Sequence, residues 1–187
     1  ASRYIDRTTG ERADPNLTPK DVQGKDSKYQ LITPLQDKLK EALDNLAAHV
    51  KITHEYVDVL PKDSSVLSGG RIGNRAAMTA RTTLQNDPRA VALDDQLKSM
   101  TPIATARTFL GSGGRAGPAA AKMLTESNVT AGDDQKTAAV KLNNLASIAI
   151  DLAKRNGLPT GPYEELKKGL GAQATPTAPA PSSALAA

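Results

Sequence analysis

The sequence predicts an all-α protein: an elongated bundle of about five to six helices with extended N- and C-terminal arms. Three observations carry that prediction. Leu, Val and Ala recur at spacings of three and four over residues 35–60 and again over 138–152, which lines one face of a helix. Proline follows Thr33, Asp87 and Thr101, the arrangement of a capped helix start. No stretch reads as part of a sheet.

Composition limits what such helices can bury. A chain of 187 residues is long enough for one domain with a sizeable core, yet aromatics are 3% of it, with one Phe and no Trp. Much of the apolar content is alanine, which contributes little area per residue. Helices lined with Ala and Leu pack closely but thinly, which favours elongated or oligomeric arrangements in which partner chains supply part of the burial. Three regions follow: a polar arm over 1–32, a helical region over 33–171 and a tail over 172–187.

Residues 1–32 carry Pro15 and Pro19 and show no apolar period, so an extended arm with little local structure is expected, either draped over a neighbour or loose. Thr33-Pro34-Leu35-Gln36 then opens a helix: Thr33 caps, Pro34 takes the first helical position and Gln36 completes a capping box. Leu35, Leu39, Leu43, Leu46 and Val50 form its seam, which continues to Leu60 before Pro61. A second helix is expected over 72–85 with Ala76, Ala80 and Leu84 on its packing face. A third begins at Asp87-Pro88 and carries Val91, Leu97 and Met100. Thr101-Pro102 makes 103–110 either a kinked continuation or a fresh helix, and a short helix over 118–126 comes next. Asp133 and Asp134 start a long helix seamed by Ala138, Leu142, Leu145, Ala149 and Leu152 and stopped at Asn156-Gly157. A last short helix spans 162–170, and the tail beyond is Ala, Pro, Thr and Ser. The seams at 35–60 and 142–152 are the expected oligomer surfaces.

One motif occurs twice. Ser68-Gly69-Gly70-Arg71-Ile72-Gly73-Asn74-Arg75-Ala76-Ala77 recurs as Ser112-Gly113-Gly114-Arg115-Ala116-Gly117-Pro118-Ala119-Ala120-Ala121, a shared S-G-G-R-x-G-x-x-A-A. Each copy follows a run ending in leucine (Leu67, Leu110) and opens an Ala-rich run, so two helix–turn–helix units are read, over 33–86 and 87–156. Gly69, Gly70, Gly113 and Gly114 are the expected structural turns, because paired glycines accept positive φ.

Charge concentrates around these turns. The net charge is +4, and residues 71–122 hold eight basic residues against three acids. Arg71, Arg75, Arg81, Arg107 and Arg115 are therefore the candidate contacts for phosphate or DNA, and a solvated basic face would give the same count. Glycine turns leading into helix N-termini expose N–H groups that suit anions; helix-ending turns with a solvated Arg have the same sequence. No G-K-[ST] follows either copy and no strand precedes it, which excludes a Walker loop and a dinucleotide fingerprint.

No catalytic constellation emerges. There is no Cys, which excludes disulfides and thiolate metal sites. His49 and His54 are the two histidines; five residues apart, they fall on different helix faces, and His54-Glu55 lacks the second histidine of H-E-x-x-H. The expectation is a non-enzymatic protein with no metal, no cofactor and no small-molecule substrate. No apolar run is long enough to cross a membrane and the start lacks a secretory pattern; beginning at Ala1, the sequence is that of a chain without its initiator, or of a processed or partial piece.

Ile103-Ala104-Thr105-Ala106-Arg107-Thr108-Phe109-Leu110-Gly111-Ser112-Gly113-Gly114-Arg115 resembles a module of virion-internal ejection, or DNA-transfer, proteins of tailed bacteriophages. In them a helix ending A-R-x-x-L-G-x-G-G-R precedes a short helix, a polar stretch and a K-L-x-x-L helix, here Lys141-Leu142-Asn143-Asn144-Leu145. The resemblance covers roughly residues 88–156. It implies a protein that assembles as a homo-oligomer inside the virion near the portal or tail, beside other ejection proteins and packaged DNA. Such a protein leaves ahead of the genome and helps its passage across the host envelope. Some relatives carry a lytic transglycosylase domain, whose glutamate pattern this chain lacks. Tail tape-measure proteins, and a basic nucleic-acid-binding accessory protein, are the alternatives.

Overall fold

A computed structural model describes residues 3–23, 27–62, 70–99, 101–111 and 117–172. The chain is an all-α bundle with one small two-stranded sheet. In chain order the elements are β1 (Tyr4–Asp6), α1 (Pro19–Val22), β2 (Tyr29–Leu31), α2 (Pro34–Glu55), a 3₁₀ turn (Val57–Val59), α3 (Gly70–Thr83), α4 (Pro88–Lys98), α5 (Thr101–Gly111), α6 (Gly117–Glu126), α7 (Gln135–Arg155) and α8 (Gly161–Ala172). Among the described residues no helix is long and apolar enough to cross a membrane.

The central element is α2, and its start is built as the sequence implies. Thr33 Oγ1 accepts from the Gln36 N–H, and the Gln36 side chain accepts from the Thr33 N–H at 2.8 Å. Around α2 pack α4, α5, α7 and α8; α6 bridges α5 and α7, while α3 lies against α4. Leu39, Leu43, Leu46 and Val50 of α2 and Leu142, Leu145 and Leu152 of α7 are all buried within this one chain. The oligomer surfaces expected there are thus corrected: the two seams meet each other, and none of those seven side chains is available to a second copy. Leu35, on the first turn, is the exception and is 65% exposed.

The α7 seam and its Asn156-Gly157 stop lie as the sequence implies, with Asp134 rather than Asp133 as cap. Asp87 caps α4 through its carboxylate, accepting from the Arg89 and Ala90 N–H groups. Thr101 begins a fresh helix, α5, after α4 has ended at Ser99. The burying face of α4 is Ala90, Leu93 and Leu97 rather than Val91, and Met100 lies outside the described residues. The expected face of α3 is also corrected. Ala76 and Leu84 face solvent, and Asn74 and Met78 face the protein.

The N-terminal arm is a third correction. β1 and β2 pair antiparallel, with Ile5 opposite Gln30, and Ile5, Ala13, Val22 and Ile32 are buried. These apolar residues are too far apart to give a period, so they escape a sequence reading. Local turns hold the segment instead: Asp6 Oδ1 accepts from the N–H groups of Thr8 and Thr9, which holds its carboxyl below the ordinary range. The hairpin docks where α8 begins. The Thr8 carbonyl oxygen lies 2.7 Å from where a Cβ on Gly161 would sit, so only glycine fits there. The Pro/Ala tail from residue 173 onward lies outside the described residues.

Polar residues also enter the core. Tyr163 of α8, 2% exposed, donates its hydroxyl to Asp44 of α2 at 2.9 Å, and burial pushes its phenol pKa up. On the face of α2 toward α4, the Gln96 amide lies 2.7 Å from His49 Nδ1, while His49 Nε2 and Thr53 Oγ1, both buried, have no partner among the described residues. Burial lowers the His49 pKa from 6.5, and His54 moves the same way with Glu55 opposing. An unfolded chain therefore takes up protons where the folded one does not. The stability held by neutral His49 is complete above about pH 6.5 and is lost as pH falls from there toward the lowered folded value. Thermal melts should drop by a few degrees between pH 7 and pH 5, and His49→Gln should flatten that drop; an equal drop in the variant would rule out His49 as its source.

Candidate functional site

The residues singled out by charge and by the glycine turn converge on α3, which is held by polar contacts at both ends. Gly70, at φ +57°, opens the helix in a conformation that favours glycine, as expected for a turn. Next to it, Arg71 donates from a terminal guanidinium nitrogen to Asp133 Oδ1 at 3.0 Å. Asp133 Oδ2 accepts from Lys141 Nζ at 2.8 Å, from the Thr130 N–H at 2.7 Å and from the Thr130 hydroxyl at 3.0 Å. Its side chain is wholly buried, and Lys141 also donates to the Asn128 carbonyl at 2.9 Å. One turn further along α3, Asn74 reaches the Gly132 carbonyl.

The far end is fixed differently. Arg81 donates to Asp87 and to the Val59 carbonyl, tying α3 at once to the cap of α4 and to the 3₁₀ turn. The Arg81 hydrogen bond, with the Arg89 and Ala90 N–H groups behind it, holds the Asp87 carboxyl below its usual range. Beneath that corner the Gln135 side chain donates to the Leu60 carbonyl at 2.7 Å.

This geometry divides the five candidate arginines. Arg71 and Arg81 are spent on carboxylates of their own chain, which makes the first glycine turn a structural joint. Arg75 and Arg107 are exposed, and their guanidinium groups meet no acid among the described residues. They stand on helices with different neighbours, α3 against α4 and α5 against α2 and α6. Arg115, Gly113 and Gly114 of the second copy, and Gly69 of the first, lie outside the described residues. The groups brought together at this joint that sequence reasoning missed are Asp133 and Lys141. A signal existed: Thr130-x-x-Asp133 repeats Thr18-x-x-Asp21, in which Asp21 likewise accepts from the Thr18 N–H and hydroxyl.

Two surfaces stand out among the described residues. The outer face of α3 shows Ile72 at 85% exposure and Leu84, just past its end, at 83%, with exposed Ala76 between them and Arg75 at the flank. The other is an open cleft of about 500 Å³ between α2 and α8. Its floor is Ala47, Leu166 and Leu170. Lys51, His54, Glu55 and Glu165 stand around it. Gly169 also lines it, at a position where a side chain's Cβ would meet nothing within 4 Å. Among the described residues no group of three or more His, Asp or Glu could hold a metal ion. No protein-family model, no curated protein and no solved structure matches the chain.

Replacing Asp133 should be costly, because it strands Lys141, 15% exposed, beneath the surface without its counter-charge. Asp133→Ala is expected to lose about 3–5 kcal/mol in urea unfolding, whereas Arg71→Ala, removing a partner that is 68% exposed, should cost under about 1 kcal/mol. Equal losses for the two would show that the joint does not depend on the buried carboxylate.

Proposed function

We propose that the chain is a non-enzymatic assembly protein carried inside a tailed-phage particle, of the ejection or DNA-transfer type. The observation that carries this reading is the helix order over residues 88–156. α5 ends at Gly111 and α6 follows as a short helix; a polar stretch then leads into α7 with its Lys141-Leu142-Asn143-Asn144-Leu145 run. That is the succession the module implies. In it the two leucines of K-L-x-x-L are core residues and the lysine has a structural partner, Asp133.

Function in this reading comes from surfaces and from how the bundle holds together, not from a reaction centre. Its core is mainly leucine and alanine, and several of its helix ends are secured by a few polar contacts. Such a bundle can rearrange by breaking a few defined contacts. Among the described residues, Arg75 and Arg107 are the candidate arginines left to meet phosphate of a packaged genome.

The test is the particle itself. Peptide mass spectrometry on purified virions of the virus encoding this chain should find it in full particles and find it depleted after genome release is triggered in vitro. Absence from full particles would end the proposal; presence in both states would make it a fixed structural component instead of an ejected one.

A further inference from the structure

We propose that His49 is an acid-operated latch between α2 and α4. Closed, it holds the C-terminal end of α4 on α2; on taking up a proton it lets that end swing away while α2 stays on α7. The device goes beyond the particle reading and does not depend on it.

The two ends of α4 are held by different chemistry. At the N-terminal end Asp87 meets Arg81 of α3, and Arg89 donates to Asp58 of the 3₁₀ turn and to the Glu55 carbonyl at the end of α2. About two turns further along, the Gln96 amide lies 2.7 Å from His49 Nδ1. Thus α4 runs antiparallel to α2, pinned by ion pairs at one end and latched by a neutral contact at the other. Leu93 and Leu97 are buried beside the latch. Ser99, with its extended backbone, parts α4 from α5, so α4 can loosen without unwinding its neighbour.

The latch has no place for a cation. His49 is 2% exposed and Thr53, one turn on, 0%; His49 Nε2 and Thr53 Oγ1 have no partner among the described residues. A neutral imidazole presents one acceptor and one N–H, whereas an imidazolium presents two N–H groups and a charge. Turning the Gln96 amide would give Nδ1–H an oxygen, but it leaves Nε2–H and the charge buried without an acid. Ionisable groups on the surrounding elements are engaged elsewhere. On α2 the positions one turn from His49 are Asn45, Leu46, Ile52 and Thr53, while Lys51, His54 and Glu55 border the cleft toward α8. On α4 Arg89 is held by Asp58, Asp94 by Lys98, and Asp95 is exposed. On α5 the one charged residue, Arg107, is exposed too.

The sign follows from burial, which lowers the pKa of closed His49. An open end of α4 returns the imidazole to water, where it binds a proton near pH 6.5, so acid favours the open form. The pins outlast the latch: the Asp87 carboxyl is held below its usual range and stays charged at pH 5. Opening therefore hinges at Asp87 and Arg89 and uncovers Leu97 first.

The chain has no cysteine, so single thiols can serve as accessibility probes. Leu97→Cys sits beside the latch, Ala90→Cys near the pinned end and Ala149→Cys on α7, all at buried positions. The reagent is a dipyridyl disulfide, which reacts with thiols in acid as well as at neutral pH, and each rate is divided by that of the same thiol in urea. Between pH 7 and pH 5 the Leu97→Cys thiol should gain about tenfold in relative rate, Ala90→Cys much less and Ala149→Cys nothing. His49→Gln should abolish the gain. Gln96→Glu, which sets a carboxylate against the imidazolium, should keep the latch closed at pH 5. Hydrogen exchange on the unaltered chain, corrected for its intrinsic pH dependence, should show the same order even where a cysteine variant fails to fold: protection lost over residues 93–98 and kept over 142–152. A Leu97→Cys rate indifferent to pH, a gain that survives His49→Gln, a gain undiminished by Gln96→Glu, or equal gains at all three thiols would each overturn the latch.

Discussion

The rest of the structure depends on the packing of α2 against α7. A chain with one Phe and no Trp must gather its buried area from many small side chains, each Leu contributing about 1.5–3 kcal/mol on full burial. Such a core works only where two regular seams run alongside each other. Leu39, Leu43, Leu46 and Val50 supply one seam and Leu142, Leu145 and Leu152 the other. Neither could be left open for a partner without removing a large share of the apolar burial in the chain. Everything else is placed relative to this pair: α5 and α4 against one side of α2, α8 across α2 and α7, and α6 between α5 and α7.

A thin apolar core fixes position weakly, since alanine and leucine surfaces slide with little change in area. Register therefore falls to polar joints. Tyr163 pins α8 to α2 through Asp44, Gln96 meets His49 between α4 and α2, and Asp133 gathers α3, the 127–134 loop and α7. Each joint joins segments far apart in sequence and each is directional. Among the described residues His49 Nε2 and Thr53 Oγ1 are buried without a partner, so the same core also holds polar atoms whose burial costs stability.

What could be read from the sequence was whatever is local. The Thr33–Gln36 box, the Asp87 cap, the fresh start at Thr101 and the seams of α2 and α7 all follow from residues within a few positions of one another. What could not be read was set by distance. Ile5 and Ile32 are buried because a hairpin brings them together, and no period announces that. The seams were legible as seams, but whether they face each other or a neighbour is a tertiary fact. Ala76, Ala80 and Leu84 looked like the packing face of α3 because they are its apolar stripe; the helix turns the other way because Arg71, Asn74 and Arg81 each find a partner on the opposite side. The arginines were legible as a cluster of charge, but not as two committed to carboxylates and two left facing solvent.

That reversal bears on what α3 is for. Left to apolar burial, an isolated amphipathic helix would place Ile72 and Leu84 inward and its arginines outward. Holding it the other way needs three polar contacts whose partners include a buried carboxylate, and an apolar surface left in water besides. Within the chain that orientation rests on the polar contacts, since Met78 is the apolar side chain that α3 buries. The outer face of α3 thus carries Ile72 and Ala76 in water, an apolar surface that polar joints rather than burial hold in place. The joints at Arg71 and Arg81 act as the frame that holds the helix, and Gly70, at φ +57°, opens it directly before the Arg71 that reaches Asp133.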